Sequence, residues 1–413
     1  MSKTYFNISD KLRLYEFDGM LDQYGDAAAA YSLRKLRNGY TGNAIRVRRS
    51  SDNTERDMGF YNNELDTVAL LDWVNADHIK YESDFRLGGD NFSTLELQQL
   101  NGESIAGEDN AAKFTLTGGL NSHYAYRGPT TIGQTMKVTG RYYIPSTNAS
   151  CNAIRISGGS SEFIFANTLD EWAEFEHITT ATVSYAIFRA ANGENTDFDG
   201  DGDVFYLKDL VYTQITADGH VHTWYDQSAN ANHAVQGTDT AQPKIIDAGA
   251  LVEEDGKAAV LFGTPTFMQT ATGLPLSSED SLISVLYKHD NLNNANVFDS
   301  QINNKFFLQY DDAAGYRFDN DTQYDLSQTG ISSRVLATLD FNSTQLKSYF
   351  NGTNTSTQTV NSVSHTGLTL GRHRTTTINY LGGTMQEFVY WNTNNTNNSL
   401  AIQENINTHY NIY

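Results

Sequence analysis

Four aspartates in a short glycine-containing segment have the spacing of a calcium loop. They are Asp197, Asp199, Asp201 and Asp203. Carboxylates at alternate positions can converge on one hard cation, and Gly202 permits the tight turn that aims them. Lys208 stands where a complete helix–loop–helix calcium site has a bidentate glutamate, so that motif is incomplete. The segment predicts either a Ca²⁺ site formed by these four aspartates or a solvated acidic hairpin.

Aromatic residues recur in the strand-like segments that precede this loop. An exposed ring offers an apolar face on which a sugar can stack, whereas aromatic residues that alternate along a strand usually belong to the core. The candidates for a carbohydrate-binding surface are Tyr124, Tyr126, Tyr142 and Phe163. Trp172 is expected in the core. A sugar platform and a hydrophobic core are therefore both open interpretations of these segments.

Two widely separated segments form the most informative pair of motifs in the chain. Residues 218–228 read Asp-Gly-His-Val-His-Thr-Trp-Tyr-Asp-Gln-Ser, and residues 28–37 read Ala-Ala-Ala-Tyr-Ser-Leu-Arg-Lys-Leu-Arg before a basic segment at 45–52. Together they resemble the amino-terminal core of the fungal-type α-L-arabinofuranosidase B catalytic domain. In that family a small-residue helix leads into a basic strand, a short helix, and then a Tyr-Asp-Gln-Ser strand and turn.

The same resemblance extends to other parts of the chain. Residues 65–74 fit the short helix, and residues 385–392 fit the family's last strand. Residues 402–410 fit its closing helix, because their apolar residues recur every four positions. Residues 337–341 and 346–352 predict a strand pair followed by an Asn-Gly hairpin turn, which is typical of a laminin-G or concanavalin-like sandwich.

The acids that the family uses for catalysis have no counterpart at the matching positions. Glycoside hydrolysis with retention needs two carboxylates about 5 Å apart. Residues 370–377 match the segment that carries the family's acid, but they offer His373 and no carboxylate. Residues 310–315 offer Asp311 and Asp312 but no glutamate, and the family's paired cysteines are absent. We therefore predict no catalytic residue and no enzyme; the alternative is a glycosidase or depolymerase of the arabinofuranosidase type that acts through Asp311 or Asp312.

Two polar groups are interpreted as framework. Asp226, Gln227 and Ser228 look like an active-site element, but after an aromatic strand such side chains most often fix a loop through hydrogen bonds to the backbone. Arginine and lysine residues concentrate between positions 34 and 56 of an otherwise acidic chain. Because no aromatic patch accompanies them, we expect ion pairs within the chain or between subunits rather than a nucleic-acid site.

The spacing of the motifs predicts an inserted domain. In the family the short helix leads almost directly into the Tyr-Asp-Gln strand, whereas roughly 140 residues, the size of a domain, intervene here. The insert resembles carbohydrate-binding modules of the jelly-roll type. We therefore expect an all-β protein with two β-sandwich domains, jelly-roll or concanavalin-like, the second inserted in the first, and a few short helices. The predicted boundaries are an arm at 1–26, an outer sandwich at 27–75 and 218–413, and an inserted sandwich at 76–217.

The net charge and the cysteine content limit the classes of binding partner and the covalent links that the chain can have. The formal net charge of −21 argues against a nucleic-acid partner and against docking on anionic lipid. No apolar stretch has the length of a membrane span, so no membrane insertion is expected. The single cysteine, Cys151, excludes an intramolecular disulfide, and the first residues contain no apolar signal core.

These features together resemble bacteriophage virion proteins, in which such sandwiches decorate capsids or form tail adhesion components. The resemblance implies a virion structural protein, assembled in the host cytoplasm with other capsid or tail proteins, that forms a homo-oligomer and presents a surface for host glycans. The apolar arm at 1–26 is expected either to dock onto a neighbouring subunit or to add a strand to its own sandwich. A lectin that acts outside particles is a third interpretation.

Overall fold

The computed structural model describes most of the chain. The described residues are 19–118, 123–165, 169–193, 198–289, 294–301, 305–311, 315–329, 333–374 and 379–413, with the side chains of 163–165 excluded. The chain forms two compact units, which we call the outer unit (Met1–Leu71 with Gly219–Tyr413) and the inserted unit (Asp72–Asp218). Strands dominate both units, which confirms the predicted all-β class with a few short helices.

The described residues contain three α-helices, which are α1 (Met20–Tyr24), α2 (Thr67–Val74) and α3 (Ser399–Tyr410). The first strands of the outer unit are β1 (Ala29–Ser32), β2 (Ile45–Arg49), β3 (Glu55–Met58), β4 (Phe60–Tyr61) and β5 (Glu64–Leu65). The strands of the inserted unit are β6 (His78–Glu82), β7 (Ser93–Leu95), β8 (Leu97–Ile105), β9 (Glu108–Leu116), β10 (Tyr124–Arg127), β11 (Thr135–Tyr143), β12 (Ala153–Ser157), β13 (Phe163–Phe165), β14 (Ala173–Thr180), β15 (Ala186–Ala191) and β16 (Val204–Gln214). The remaining strands of the outer unit are β17 (Gly219–Trp224), β18 (Ala234–Val235), β19 (Lys244–Asp247), β20 (Ala250–Leu251), β21 (Glu253–Glu254), β22 (Lys257–Ala258), β23 (Val260–Phe262), β24 (Met268–Gln269), β25 (Pro275–Ser277), β26 (Ser281–His289), β27 (Ala295–Ser300), β28 (Phe307–Asp311), β29 (Gly315–Asp319), β30 (Gln323–Asp325), β31 (Val335–Asn342), β32 (Gln345–Phe350), β33 (Thr353–Thr359), β34 (Ser364–Thr366), β35 (Leu368–Leu370) and β36 (Gly383–Trp391). Within the described ranges, no helix is both long and apolar enough to cross a membrane.

Strand β36 is the centre of strand pairing in the outer unit. It pairs antiparallel with β26 along one edge and with β1 and β23 along the other. From β26 the pairing continues through β31 and β32 to β33. A second run joins β30, β29, β28, β27, β35, β24, β18, β17, β2 and β3 in that order. Every residue of β36 is buried, so this strand is covered on both faces.

The carboxy-terminal helix α3 covers part of the outer unit's core. Its residues Ile402, Ile406 and Tyr410 are buried and belong to one apolar cluster with Met20 and Trp391. Residues four apart lie on the same face of a helix, so the predicted apolar stripe is confirmed. Met20 starts helix α1, so the end of the predicted arm packs on its own unit. Residues 1–18 of that arm lie outside the described residues, and its two interpretations stay predictions.

Residues 28–37, which were expected to form a small-residue helix, contain a strand instead. Strand β1 pairs with β36 from Ala29 opposite Tyr390 to Ser32 opposite Glu387. Alanine prefers helices where nothing else decides the conformation. Here all four residues of β1 are buried, and pairing with the most buried strand of the unit overrides that local preference.

The predicted Asn-Gly hairpin turn is confirmed. Asn351 and Gly352 connect β32 to β33, which pair antiparallel, and their φ angles are 47° and 76°. Positive φ at both central residues is the requirement of a two-residue type I′ turn, whose twist matches that of the strands it joins.

The inserted unit is a sandwich of two antiparallel sheets. One has five strands in the order β13-β12-β15-β10-β7, and the other has the order β14-β11-β16-β9-β8 with β6 also paired to β16. Their inner faces share one core, in which Phe114 and Phe205 stack with ring centroids 4.9 Å apart. Phe188 of the five-stranded sheet lies 6.1 Å from Phe175 of the six-stranded sheet. Because successive residues of a strand face opposite sides, each sheet also presents an outward set of side chains.

Candidate functional site

Alternation along β10 and β15 builds the outer face of the five-stranded sheet. Ala125 and Phe188 face the core and are fully buried, while Tyr124, Tyr126 and Arg189 are half-buried on the opposite side. Tyr185 precedes β15 with the same alternation. We call the outward set on this sheet the tyrosine–arginine surface; its members are Tyr124, Tyr126, Tyr185, Arg155 and Arg189.

The three tyrosine rings of this surface are contiguous. The ring centroids of Tyr124 and Tyr126 lie 6.1 Å apart, and those of Tyr126 and Tyr185 lie 4.9 Å apart. The guanidinium carbon of Arg189 lies 5.7 Å from the centroid of Tyr124, within the range of a cation–π contact. Leu95, which pairs with Tyr124 across β7 and β10, is 45 % exposed and extends the apolar area at the edge of the sheet.

The two arginines of the tyrosine–arginine surface differ in their partners. They stand directly opposite each other on β12 and β15. Arg155 forms an ion pair with Glu162, with 2.7 Å between Nη2 and Oε2. Arg189 has no carboxylate within ion-pair distance among the described residues. The Nε atoms of both arginines are buried without a hydrogen-bond acceptor.

The structure brings together two of the four predicted carbohydrate-binding residues. Tyr124 and Tyr126 share the outer face described above. Tyr142 does not fit a binding role, because its ring points inward from β11 and is only 4 % exposed. The backbone of Phe163, in β13, pairs with that of Ile156, in β12, and the side chain of Phe163 lies outside the described part of the structure. Sequence reasoning did not single out Arg189 for this surface, although the alternation from Tyr185 to Arg189 in β15 is the signal that places it there.

The six-stranded sheet carries a second aromatic group on its outer face. Tyr143 lies 5.7 Å from Trp172 and 5.9 Å from Tyr206, measured between ring centroids. The indole Nε1 of Trp172 donates a hydrogen bond of 3.2 Å to the carbonyl of Ile105. Trp172 is half-buried in this outer cluster rather than in the main core, which corrects the expectation for it. Tyr143 and Tyr206 are each only 7 % exposed, so this cluster offers little ring surface.

Charged side chains beside that cluster neutralise one another. Arg141 lies over the ring of Trp172 at 5.4 Å and forms an ion pair of 2.9 Å with Glu108. Lys208 reaches the same carboxylate at 2.6 Å. Hydrogen bonds from Lys208 and Arg141 hold the pKa of Glu108 below its ordinary value. We call this outward set the paired surface; its members are Glu108, Arg141, Tyr143, Trp172, Tyr206 and Lys208.

A shallow groove lies next to the paired surface. Its volume is about 510 Å³, and it is lined by Thr139, Gly140, Arg141, Glu174, Phe175, Glu176 and Asp209. A Cβ at position 140 would come within 2.4 Å of the Cδ2 atom of Leu210, so that side chain would have to shift if Gly140 were replaced. The lining thus includes three carboxylates, and the lining cation, Arg141, is paired with Glu108 and with Asp209.

The predicted calcium loop is described only in part. Asp203 is buried and its carboxylate accepts hydrogen bonds of 2.7 Å from the backbone N–H groups of Ala149, Ser150 and Cys151. Asp203 therefore anchors a loop. Asp197 lies outside the described residues, and in the remainder no group of three or more His, Cys, Asp or Glu side chains is arranged to hold a metal ion. A site that includes Asp199 and Asp201 stays a prediction.

The segment that matches the family's catalytic acid supplies a buried ion pair. Arg374 Nη1 lies 3.1 Å from both carboxylate oxygens of Asp299, which has no exposed surface. His373 Nε2 is 3.7 Å from the same carboxylate, and burial lowers the pKa of this imidazole against the opposing charge of Asp299. Asp311 lies 3.5 Å from Arg317, and Asp312 lies outside the described residues. The alternative of a glycosidase that uses these two aspartates stays a prediction.

The Tyr-Asp-Gln-Ser motif holds the framework of the outer unit, as predicted. Asp226 accepts hydrogen bonds of 2.8 Å from the backbone N–H groups of Ala30 and Ser228. The side-chain oxygen of Gln227 accepts a hydrogen bond of 2.8 Å from the N–H of Leu36. These bonds tie the turn after β17 to the backbone around β1, which explains why the two motifs occur together.

The basic segment of the outer unit forms ion pairs within the chain, one of the two expected uses. Arg34 binds Glu387 at 2.8 Å, and Arg46 binds Asp57 at the same distance. Burial would raise the pKa of Glu387, but the charge of Arg34 and hydrogen bonds from Arg34 and Ser32 hold it below its ordinary value.

Comparisons with known proteins give structural similarities at low identity. No family model and no curated protein matches the chain. A carbohydrate-binding module, BiXyn10A CBM1, is similar at 15 % identity and a TM-score of 0.23, covering 33 % of this chain and 98 % of that one. The tandem CBM22 domains of Paenibacillus barcinonensis Xyn10C are similar at 9 % identity and a TM-score of 0.28, covering 77 % of this chain and 98 % of that one. A GH54 α-L-arabinofuranosidase soaked with a cyclic sulfate inhibitor is similar at 16 % identity and a TM-score of 0.33, covering 67 % of this chain and 62 % of the enzyme. The similar structures thus include both binding modules and glycosidases.

Proposed function

We propose that the inserted unit is a carbohydrate-binding domain and that its tyrosine–arginine surface holds a sugar chain. The observation that carries this proposal is the contiguous set of half-buried rings of Tyr124, Tyr126 and Tyr185 on the outside of a sheet. Beside them lies a guanidinium that has no carboxylate partner in the part of the chain that the structure describes. Tyrosine rings combine an apolar face with a hydroxyl donor, which suits the apolar face and polar edge of a pyranose.

Rigid placement of the rings favours this use. All three tyrosines lie in or next to paired strands of one sandwich, whose inner side is a close-packed aromatic core. A surface built on strands holds its groups more accurately than one built on loops, so little side-chain entropy remains to be lost on binding.

The proposal is tested by isothermal titration calorimetry of the whole chain against soluble oligosaccharides, both neutral and acidic. Tyr126→Ala removes the central ring and is expected to weaken binding roughly 30-fold, the loss typical of an aromatic hot spot. Tyr61→Ala is the matched control, because Tyr61 is 68 % exposed and belongs to the outer unit. Equal affinities in the two variants, or no binding by the unaltered chain, would contradict the proposal.

The same samples test the glycosidase alternative. Release of reducing sugar by the unaltered chain, and its loss in Asp311→Asn, would establish a hydrolase. Unchanged oligosaccharides after prolonged incubation are the expected result, because in the described structure Asp311 lies next to Arg317 and the segment matching the family's acid is a buried ion pair.

We further propose that the protein is a structural component of a bacteriophage particle, on the capsid or the tail, where it forms a homo-oligomer with this glycan-binding surface outward. Support comes from residues 28–37 and 218–228, which resemble framework motifs of the arabinofuranosidase family, and from residues 370–377, which contain no carboxylate. The resemblance of the insert to carbohydrate-binding modules adds to this support. Mass spectrometry of purified particles tests the assignment. Recovery of the chain solely outside assembled particles would contradict it and would favour a free lectin.

A further inference from the structure

We infer that the tyrosine–arginine surface selects acidic saccharides, with Arg189 as the group that binds the carboxylate of a uronic or sialic type of sugar. This inference rests on the proposed function, because it specifies the class of sugar that the same surface takes.

The first argument is the uncompensated charge of the surface. Arg155, Arg189, Tyr124 and Leu95 form one row across four neighbouring strands, as the pairing registers show. Like charges directly opposite each other on neighbouring strands are unfavourable. Glu162 compensates Arg155 alone, so the described structure leaves one positive charge on this row. An anion bound at Arg189 would remove the repulsion.

The second argument is the orientation of Arg189. Its guanidinium lies beside the ring of Tyr124, and its Nε is buried without an acceptor among the described residues. The planar fork of a guanidinium matches a carboxylate through two parallel hydrogen bonds. Because the side chain is already ordered against Tyr124, little rotamer entropy is lost when a carboxylate arrives.

The third argument is the contrast with the rest of the molecule. The chain has a formal net charge of −21, which repels acidic polymers at long range. Arg189, which has no ion-pair partner among the described residues, is therefore not part of a general cationic patch. It can attract an anion only at contact distance. At 0.15 M salt the Debye length is about 8 Å, so the repulsion is screened while the short-range pair is retained.

A sugar fits this surface better than an acidic peptide does. The rings of Tyr126 and Tyr185, 4.9 Å apart, offer apolar area next to the charge, and a pyranose has an apolar face next to its carboxylate. An aspartate or glutamate side chain has no comparable face for the rings to cover.

The experiment is calorimetry of the whole chain in 0.15 M NaCl with three pairs of probes. They are oligogalacturonate and its methyl ester, oligoguluronate and its methyl ester, and sialyllactose and lactose. For at least one pair, the acidic member is expected to bind at least 10-fold more tightly than its neutral counterpart. This is the gain in affinity typical of one charge-assisted bidentate pair. Arg189→Gln should abolish that preference, and Arg189→Lys should restore part of it, because lysine keeps the charge without the fork.

The matched control is Arg141→Gln, which removes an arginine from the paired surface of the other sheet and should leave the preference unchanged. Circular dichroism verifies that each variant is folded. Equal binding of acidic and neutral probes by the unaltered chain would overturn the inference and leave the proposed function standing. Binding of poly-glutamate as tight as that of the acidic sugars would overturn the saccharide assignment. If no probe bound at all, both this inference and the proposed carbohydrate-binding function would be overturned.

Discussion

The two outer faces of the inserted sandwich use arginine and aromatic side chains in opposite ways. On the paired surface, Arg141 and Lys208 share the carboxylate of Glu108, and the neighbouring rings cover one another until little of them is exposed. On the tyrosine–arginine surface, the rings stay half-buried and Arg189 has no carboxylate partner among the described residues. The same residue types therefore form a self-contained patch on one sheet and, on the other, the surface that we propose for ligand recognition.

The difference indicates how to separate framework from function when residue type alone is uninformative. A cation whose hydrogen bonds are taken by carboxylates of its own chain has little left to offer a ligand, and an exposed pair of this kind adds little stability. A cation held in place by a ring, with its donors unused, is already ordered for an incoming anion.

The largest effect on stability is expected for a side chain of the inserted unit that has a purely structural role. Asp203→Ala should lower the free energy of unfolding by roughly 3 kcal/mol or more, because it leaves the backbone N–H groups of Ala149, Ser150 and Cys151 without their acceptor. Urea denaturation followed by tyrosine and tryptophan fluorescence measures this change. Asp209→Asn, at an exposed carboxylate, serves as control and should change stability by about 0.5 kcal/mol or less. A loss below about 1 kcal/mol in Asp203→Ala would contradict the anchoring role.

The next effect separates the two surfaces directly. Trp172→Ala should destabilise the protein by about 2 kcal/mol, because it removes a half-buried ring, its contact with Tyr143 and its hydrogen bond to Ile105. Its affinity for acidic oligosaccharides should not change. Tyr126→Ala should show the reverse, with a smaller loss of stability and a large loss of affinity. Parallel thermal unfolding and calorimetry distinguish the two patterns. A loss of affinity in Trp172→Ala would indicate that the sugar binds on the six-stranded sheet, which would contradict our proposal.

A smaller effect on saccharide binding is expected when the paired surface is changed to resemble the tyrosine–arginine surface. Glu108→Gln leaves Lys208 without the carboxylate of Glu108 and leaves Arg141 with Asp209, at 3.7 Å, as its ion-pair partner. The unfolding midpoint should hardly move, because the ion pairs lie at the surface. In an Arg189→Gln background, Glu108→Gln should restore a weak preference for acidic over neutral saccharides. Glu279→Gln, at an exposed residue of the outer unit, provides the background control. Equal binding of acidic and neutral saccharides by the double variant would show that available charge does not suffice without open rings.

The smallest effect concerns pH. Because hydrogen bonds from Lys208 and Arg141 lower the pKa of Glu108, its contribution to stability is complete above the ordinary glutamate pKa of about 4.3 and is lost as pH falls through the lowered value. Between pH 7 and pH 5 the paired surface should therefore be unchanged. Over the same range binding of acidic sugars should stay constant, since neither arginine nor the ligand carboxylate titrates there. Titrations at pH 7, 6 and 5 check this, and a marked change would indicate that a histidine contributes to the site.

Local sequence patterns determined a substantial part of this protein. The all-β class, the apolar stripe of α3, the Asn351-Gly352 turn and the framework role of Asp226 follow from periodicity, turn stereochemistry and side-chain hydrogen bonding. The stripe and the turn depend on residues close in sequence. The role of Asp226 follows from the preference of aspartate for backbone N–H groups, although one of its partners, Ala30, is distant in the chain.

Tertiary structure decided the remainder. Ala29 and Ala30 favour a helix locally, but pairing with β36 makes them part of a strand. Tyr142 and Tyr126 have the same chemistry, and which ring faces the core depends on which side of its strand meets the opposite sheet. Among the described residues, Arg155 has a carboxylate partner and Arg189 has none, because strand register, set by contacts far apart in the chain, determines the neighbours of each. The residue type thus determines which interactions a side chain can make. The packing of the two sheets determines whether these interactions are made within the fold or remain available to a ligand.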